Sequence, residues 1–153
     1  MKQEWMNRAA LYELLAHAFL GTSHELVRAI ISGEYSEAVV ELGTANELDA
    51  VGVALCADEL AVYQGRNADE LFHELRIEHT RLFVGAPRPA VSPYAGIWWA
   101  HRADVKPLLF VNTESMAVER FYRSCGVGQP ANSNEPLDHI GSELEFLQYL
   151  CLV

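Results

Sequence analysis

Apolar residues recur at intervals of three and four along most of this chain, and this spacing constrains the fold more than any other feature. Near the N-terminus, Trp5, Ala9, Tyr12, Ala16 and Phe19 form one stripe. Such a stripe is typical of an amphipathic helix. Later apolar stretches follow the same period, and none shows the alternation with a period of two that a half-buried strand requires. The sequence therefore predicts an all-α fold.

Capping residues divide the pattern into separate helices. The first helix is predicted over residues 4–20 and a short one over residues 35–42. Further helices are predicted to begin at Thr22 with Glu25, Asn46, Asn67 with Glu70, and Asn112 or Thr113. The last helix is predicted to start near residues 135–136, because proline is tolerated in a first helical turn.

One segment interrupts the helices. Residues 85–96, GAPRPAVSPYAG, hold three prolines between two glycines, which predicts an extended, partly polyproline loop. Tyr94, Trp98 and Trp99 lie in it or just beyond it. Aromatic residues on a stiff segment can line a groove for a peptide, or they can simply fill the core. The sequence leaves both interpretations open.

Size and charge limit the classes of partner. The chain has 153 residues, which predicts one domain over residues 1–153. Its 21 acidic and 11 basic residues give a formal net charge of −10, which argues against nucleic acid and anionic membranes and allows a basic partner. Three widely spaced cysteines without a C-x-x-C pair indicate a reducing compartment. No apolar run is long enough for stable membrane insertion, so we expect a cytoplasmic protein.

Three polar residues stand together at the predicted start of the last helix: Glu135, Asp138 and His139. Acids in a first turn stabilise the positive end of the helix dipole, which would explain two of them without any further function. An aspartate beside a histidine can also bind a cationic partner or respond to pH. Both interpretations stay open at this point.

Signatures of catalysis are missing from the sequence. There is no phosphate-binding loop and no nucleophile motif, and His73 and His79 are six residues apart, which places them on different helical faces. We therefore expect no enzymatic activity, no metal and no cofactor. A rival hypothesis is a nucleotide hydrolase that uses Asp138 and His139 as an acid–base pair.

Two ordered motifs carry a resemblance to a known family. E-x-x-R-L-F-x-G covers residues 78–85 and leads into the proline-rich loop that ends in Ser92-Pro93-Tyr94. E-P-x-D-H-I-x-x-E-L-x-F-L covers residues 135–147. Together they resemble the TorD/DmsD family, within the TorD/DmsD/NarJ group of redox-enzyme maturation chaperones.

The resemblance implies a single-domain helical bundle and a cytoplasmic chaperone. Such a chaperone binds the twin-arginine signal peptide on the catalytic subunit of a molybdenum-cofactor oxidoreductase and delays export until the cofactor is loaded. The alternative within the group is a NarJ-like assembly factor for a reductase that is not exported. Carried over to this sequence, the signal-peptide-binding residues are Leu82, Phe83, Pro93, Tyr94, Asp138 and His139, and Glu135 is added as a neighbouring acid.

The end of the sequence carries one more expectation. Members of the family usually continue for several helices beyond E-L-x-F-L, whereas here the apolar run 147–153 has no helix-stop signal. We expect that C-terminal helices are missing, or that the end is exchanged with a partner in a homodimer or domain-swapped oligomer.

Overall fold

The computed structural model describes residues 2–85, 88–106, 113–128 and 136–153. Within these ranges the chain forms helices and no strand, which confirms the all-α prediction. The α-helices are α1 (Lys2–Phe19), α2 (His24–Ser32), α3 (Glu34–Ala45), α4 (Ala50–Ala61), α5 (Ala68–His79), α6 (Ala95–Arg102), α7 (Thr113–Ser124) and α8 (Ile140–Leu152); a π-helix, Thr80–Val84, follows α5 directly. None of the described helices is both long and apolar enough to span a membrane.

The predicted helix starts can be compared with the N-cap residues that the structure shows. Asn67 caps α5 as predicted, since its Oδ1 accepts from the backbone N–H groups of Asp69 and Glu70. The predicted Thr22 cap is wrong. Ser23 caps α2 instead, with its Oγ 3.0 Å from the N of Leu26. Neighbouring Thr and Ser both suit an N-cap, and the extended backbone of Ser23 decides between them.

The prediction that Asn46 caps α4 is also wrong. Asn46 ends α3, and its Nδ2 donates to the carbonyl oxygens of Leu42 at 2.8 Å and of Asn7 in α1 at 3.1 Å. Asp49 caps α4, with its Oδ2 2.7 Å from the N of Gly52. Asparagine can cap either end of a helix. The hydrogen bond to Asn7 in α1 places Asn46 at the C-terminal end of α3.

The core is built from helix pairs. Val27 and Ile30 of α2 pack on Leu71 of α5 in the most buried apolar cluster. α1 packs along α8, and Glu13 accepts from the Nε2 of Gln148 at 3.0 Å between them. This last pair matters for function, because it places the end of α1 beside the start of α8.

The proline-rich loop ends earlier than predicted, and the last helix begins later than predicted. α6 begins at Ala95, so Ala95 and Gly96 are helical rather than part of the loop, and both following tryptophans lie on this helix. α8 begins at Ile140, and residues 136–138 form a turn. The predicted start near residues 135–136 is therefore wrong, and Glu135 lies outside the described residues. Asn112 also lies outside them, while Thr113 opens α7.

Candidate functional site

The end of the proline-rich loop and the second sequence motif meet through their backbones. Tyr94 and His139 form an isolated antiparallel bridge, and their rings meet edge to face with centroids 5.3 Å apart. The N–H of Ile140 donates to the carbonyl oxygen of Pro93 at 2.8 Å, and that of Ala95 donates to the carbonyl oxygen of Asp138 at 3.0 Å. The starts of α6 and α8 are thereby fixed side by side.

Asp138 caps a helix other than the one it precedes. Its Oδ2 accepts from the N–H of Gly96 at 2.8 Å, while Tyr94, at the N-cap position of α6, supplies no side-chain cap. The carboxylate therefore stabilises the positive end of α6. The interpretation of Asp138 as a first-turn charge of its own helix is wrong, because α8 starts two residues later.

The second carboxylate oxygen of Asp138, Oδ1, is buried and unpaired among the described residues. The residue is completely buried, and Oδ1 has no hydrogen-bond partner within the described parts of the chain. A buried acceptor without a donor costs about 1–3 kcal/mol. Unpaired groups of this kind in native proteins often mark functional positions.

His139 caps α8 itself. It has an extended backbone, and its Nδ1 accepts from the N–H of Gly141 at 3.1 Å. In this geometry Nδ1 carries no proton. Gly141 lets Leu20 approach the start of α8 closely, because a Cβ at this position would lie 2.7 Å from the Cδ2 of Leu20. The aspartate–histidine pair thus holds the starts of two helices together.

The π-helix brings a second part of the site to this junction. The ring of Phe83 lies edge-on to Phe19 at 5.7 Å and to His79 at 5.1 Å. His79 Nε2 is 3.2 Å from the carbonyl oxygen of Phe19, at the end of α1. The loop folds back onto the π-helix, where the carbonyl oxygen of Leu82 accepts from the N–H of Val91 at 2.9 Å. Wide turns of this kind occur often at functional sites.

These elements enclose an open groove of about 370 Å³. Its described lining is apolar or aromatic apart from one serine and two carboxylates, and it contains no basic residue: Phe19, Phe83, Val91, Ser92, Pro93, Ala95, Trp98, Trp99, Asp138, Ile140 and Glu143. An apolar concave surface with a few polar groups is the usual form of a ligand site.

Predicted site residues occupy three different positions relative to this groove. Phe83, Pro93 and Asp138 line it. Tyr94 and His139 adjoin it through their backbone bridge. Leu82 is not part of the lining and holds the loop through its carbonyl oxygen.

Both tryptophans of α6 line the groove rather than fill the core. Trp98 is 54% exposed and Trp99 is 52% exposed. The indole N–H of Trp98 donates to the carbonyl oxygen of Ser92 at 2.9 Å, which fixes its ring. The guanidinium of Arg102 lies 5.8 Å from the ring centroid of Trp99. Of the two interpretations of these aromatic residues, the structure favours a groove wall.

Glu143 is the main site residue that the sequence analysis missed. It lies in the first turn of α8, is partly buried and lines the groove with Asp138. Burial and then the charge of Asp138 raise the pKa of Glu143. Burial and then the charges of Glu143 and Asp138 also raise the pKa of Tyr122. The signal was present, because Glu143 is the second glutamate of the motif E-P-x-D-H-I-x-x-E-L-x-F-L over residues 135–147.

Comparison with known proteins decides the family. The family described as nitrate reductase delta subunit matches residues 46–152, which include both motifs. The chain belongs to this family. Membership in the nitrate reductase delta subunit family confirms the resemblance to the TorD/DmsD/NarJ group, and the match includes the π-helix, the loop and the start of α8. No solved structure matches the chain with significance.

Two curated relatives of this chain are named chaperone protein TorD. The protein from Shewanella pealeana is 26% identical over 148 residues, covering 94% of this chain and 65% of the relative. The protein from Shewanella sp. strain ANA-3 is 25% identical over 144 residues, covering 94% and 66%. The chain therefore spans about two thirds of the length of the curated relatives it matches.

Proposed function

We propose that this protein is a cytoplasmic chaperone for a redox enzyme, and that its groove binds the twin-arginine signal peptide of a molybdenum-cofactor oxidoreductase subunit. The matched relatives are named as chaperones, which agrees with a role without catalysis. The observation that carries the peptide assignment is the groove itself. It combines apolar walls with two carboxylates and, in its described lining, no cation.

The chemistry of such a peptide complements the groove. A twin-arginine signal joins two cationic side chains to an apolar stretch. The apolar stretch gains free energy by covering the half-exposed rings of Trp98 and Trp99. The arginines are attracted by the carboxylates of Asp138 and Glu143, and by the formal net charge of −10 over the chain as a whole.

The nucleotide-hydrolase hypothesis finds no support in the positions of its two residues. Asp138 is completely buried with one oxygen bound to the N–H of Gly96, and His139 has Nδ1 bound to the N–H of Gly141. Both groups therefore cap helices. A general acid or base must reach the proton that it transfers.

A NarJ-like assembly factor remains the second candidate, and the description of the matched family as nitrate reductase delta subunit favours it. The two candidates differ in what the groove should recognise. A signal-peptide chaperone depends on the arginine pair, whereas an assembly factor for a reductase that is not exported has no need of it.

Calorimetry with two synthetic peptides tests the proposal. One peptide carries two arginines before an apolar stretch, and its matched control carries two glutamines there. We expect the control to bind more weakly by roughly 1.5–3 kcal/mol for each charge-assisted hydrogen bond that is lost. Equal affinity for both peptides would contradict recognition of the arginine pair.

A further inference from the structure

Glu143 is a carboxylate that forms no ion pair with any residue that the structure describes. It lies in the first turn of α8 and lines the groove. None of the ion pairs among the described residues includes it. Acids elsewhere in the described chain do find bases, such as Glu74 with Arg66 and Glu78 with Arg81. Glu143 is thus accessible from the groove and available to a cation.

The surroundings of Glu143 make a cation from outside the chain the fitting partner. α1, the π-helix, the loop and α6 contribute side chains to the groove that do not ionise: Phe19, Phe83, Val91, Ser92, Pro93, Ala95, Trp98 and Trp99. The ionisable groups nearby are Asp138 and His139 in the turn before α8, Tyr122 on α7, and Glu145 on α8 itself. Asp138 adds a second negative charge, and its Oδ1 has no partner within the described residues.

We propose that Glu143 receives the guanidinium group of one peptide arginine, with the charge of Asp138 behind it, and that this contact makes the groove select arginine over lysine. The inference rests on the proposed peptide-binding function. It adds a specificity-determining residue that neither the motif assignment nor the comparisons provide.

The aromatic wall explains why arginine would be preferred. A guanidinium is planar and weakly hydrated, so it can lie on an indole face while it forms two hydrogen bonds to a carboxylate. Trp98 offers such a face, because its N–H is held by the carbonyl oxygen of Ser92 and its side chain is half exposed. A lysine ammonium is compact and strongly hydrated, and it loses more of its hydration on entering an apolar groove.

Binding should also depend on pH in a direction that is fixed by Glu143. Burial and the charge of Asp138 raise the pKa of Glu143 above its ordinary value of 4.5. Below that raised value the side chain is uncharged and cannot pair with arginine. Affinity for arginine therefore increases as the pH rises through the raised pKa of Glu143.

Two charge-neutral variants isolate the contact: Glu143→Gln and, as a matched control, Glu145→Gln. Glu145 is exposed on the same helix and is absent from the groove lining. Glu143→Gln should fold, because a raised pKa means that the ionised side chain destabilises the native state at neutral pH. Calorimetry would measure the parent and both variants against the arginine–arginine peptide and against peptides in which either arginine, or both, are lysine.

We expect the parent to bind the arginine–arginine peptide more tightly than the lysine peptides. Glu143→Gln should weaken that binding by about tenfold or more, as for one lost charge-assisted hydrogen bond. It should also reduce the preference for arginine and flatten the pH dependence. Glu145→Gln should keep the affinity, the preference for arginine and the pH dependence of the parent. If the parent binds but Glu143→Gln matches it in affinity, preference and pH profile, this inference is overturned and the proposed function stands. If the parent does not bind the arginine–arginine peptide at all, both are overturned.

Discussion

Asp138 holds the start of α6 with both its side chain and its backbone carbonyl. One carboxylate oxygen and the backbone carbonyl bind the first N–H groups of α6, and the other oxygen is buried without a partner in the described structure. The adjacent His139 caps α8. A pair that looked from the sequence like a cation site or a simple helix-start charge is therefore also the connection between two helices.

Asp138→Asn tests this structural role. The amide oxygen can still accept from Gly96, but the amide NH2 group would replace Oδ1, a buried atom for which the described residues provide no hydrogen bond. We expect the free energy of unfolding in urea to fall by roughly 1–3 kcal/mol.

Asp49→Asn is the matched control, because Asp49 caps α4 at the surface and asparagine caps about equally well there. Its unfolding free energy should change little. Equal and small effects in both variants would show that the buried cap at Asp138 contributes no more than an exposed one.

At the scale of elements, the π-helix and the loop determine the shape of the groove. Gly85 ends the π-helix with φ +46°, and its N–H donates to the carbonyl oxygen of Thr80 at 2.7 Å. A Cβ at Gly85 would lie 2.3 Å from the backbone oxygen of Arg88. The glycine of the E-x-x-R-L-F-x-G motif is therefore required for the loop to fold back.

Gly85→Ala should displace the loop, because backbone atoms rather than a flexible side chain occupy the space of the new Cβ. We expect a loss of roughly 1–3 kcal/mol in unfolding free energy, as for overpacking elsewhere, together with weaker peptide binding. Gly128→Ala is the control, since a Cβ there meets no atom of the described residues within 4 Å. Matching stability and binding in the two variants would contradict the close approach at Gly85.

The existence of the helices could be predicted from the sequence more readily than their ends. Periodicity identified α1, and Asn67 was correctly assigned as a cap, because these signals are local. The Asn46 prediction failed because a contact with α1 determines which helix end it serves. The start of α8 was misplaced because Asp138 caps α6, 42 residues away in the sequence. No local pattern reports a cap supplied across such a separation.

The same reason limits prediction of the site. Phe83, Pro93 and Asp138 were placed by motif and do line the groove. Phe19 joins them through the packing of α1 against α8 and the contact with Phe83, which a stripe of apolar residues does not reveal. Glu143 was visible in the motif, but its importance depends on partial burial beside Asp138.

Across the molecule, an acidic chain is combined with an apolar groove. The formal net charge of −10 attracts basic peptides over a long range, and the attraction weakens with salt. In the proposed function the groove adds the local selection, because its described walls are apolar and two carboxylates line it. We propose that an arginine-containing apolar peptide occupies this groove.

Tryptophan fluorescence can show whether a peptide occupies the groove, because Trp98 and Trp99 line it. The chain has three tryptophans, and Trp5 lies in the first turns of α1, outside the groove lining. In a Trp5→Phe variant the emission comes only from Trp98 and Trp99, which are half exposed and line the groove. We expect a shift to shorter wavelength that saturates as the arginine–arginine peptide is added, because the peptide removes water from both rings. Calorimetric binding of the same peptide without any change in this emission would place the peptide elsewhere and rule out occupation of the groove.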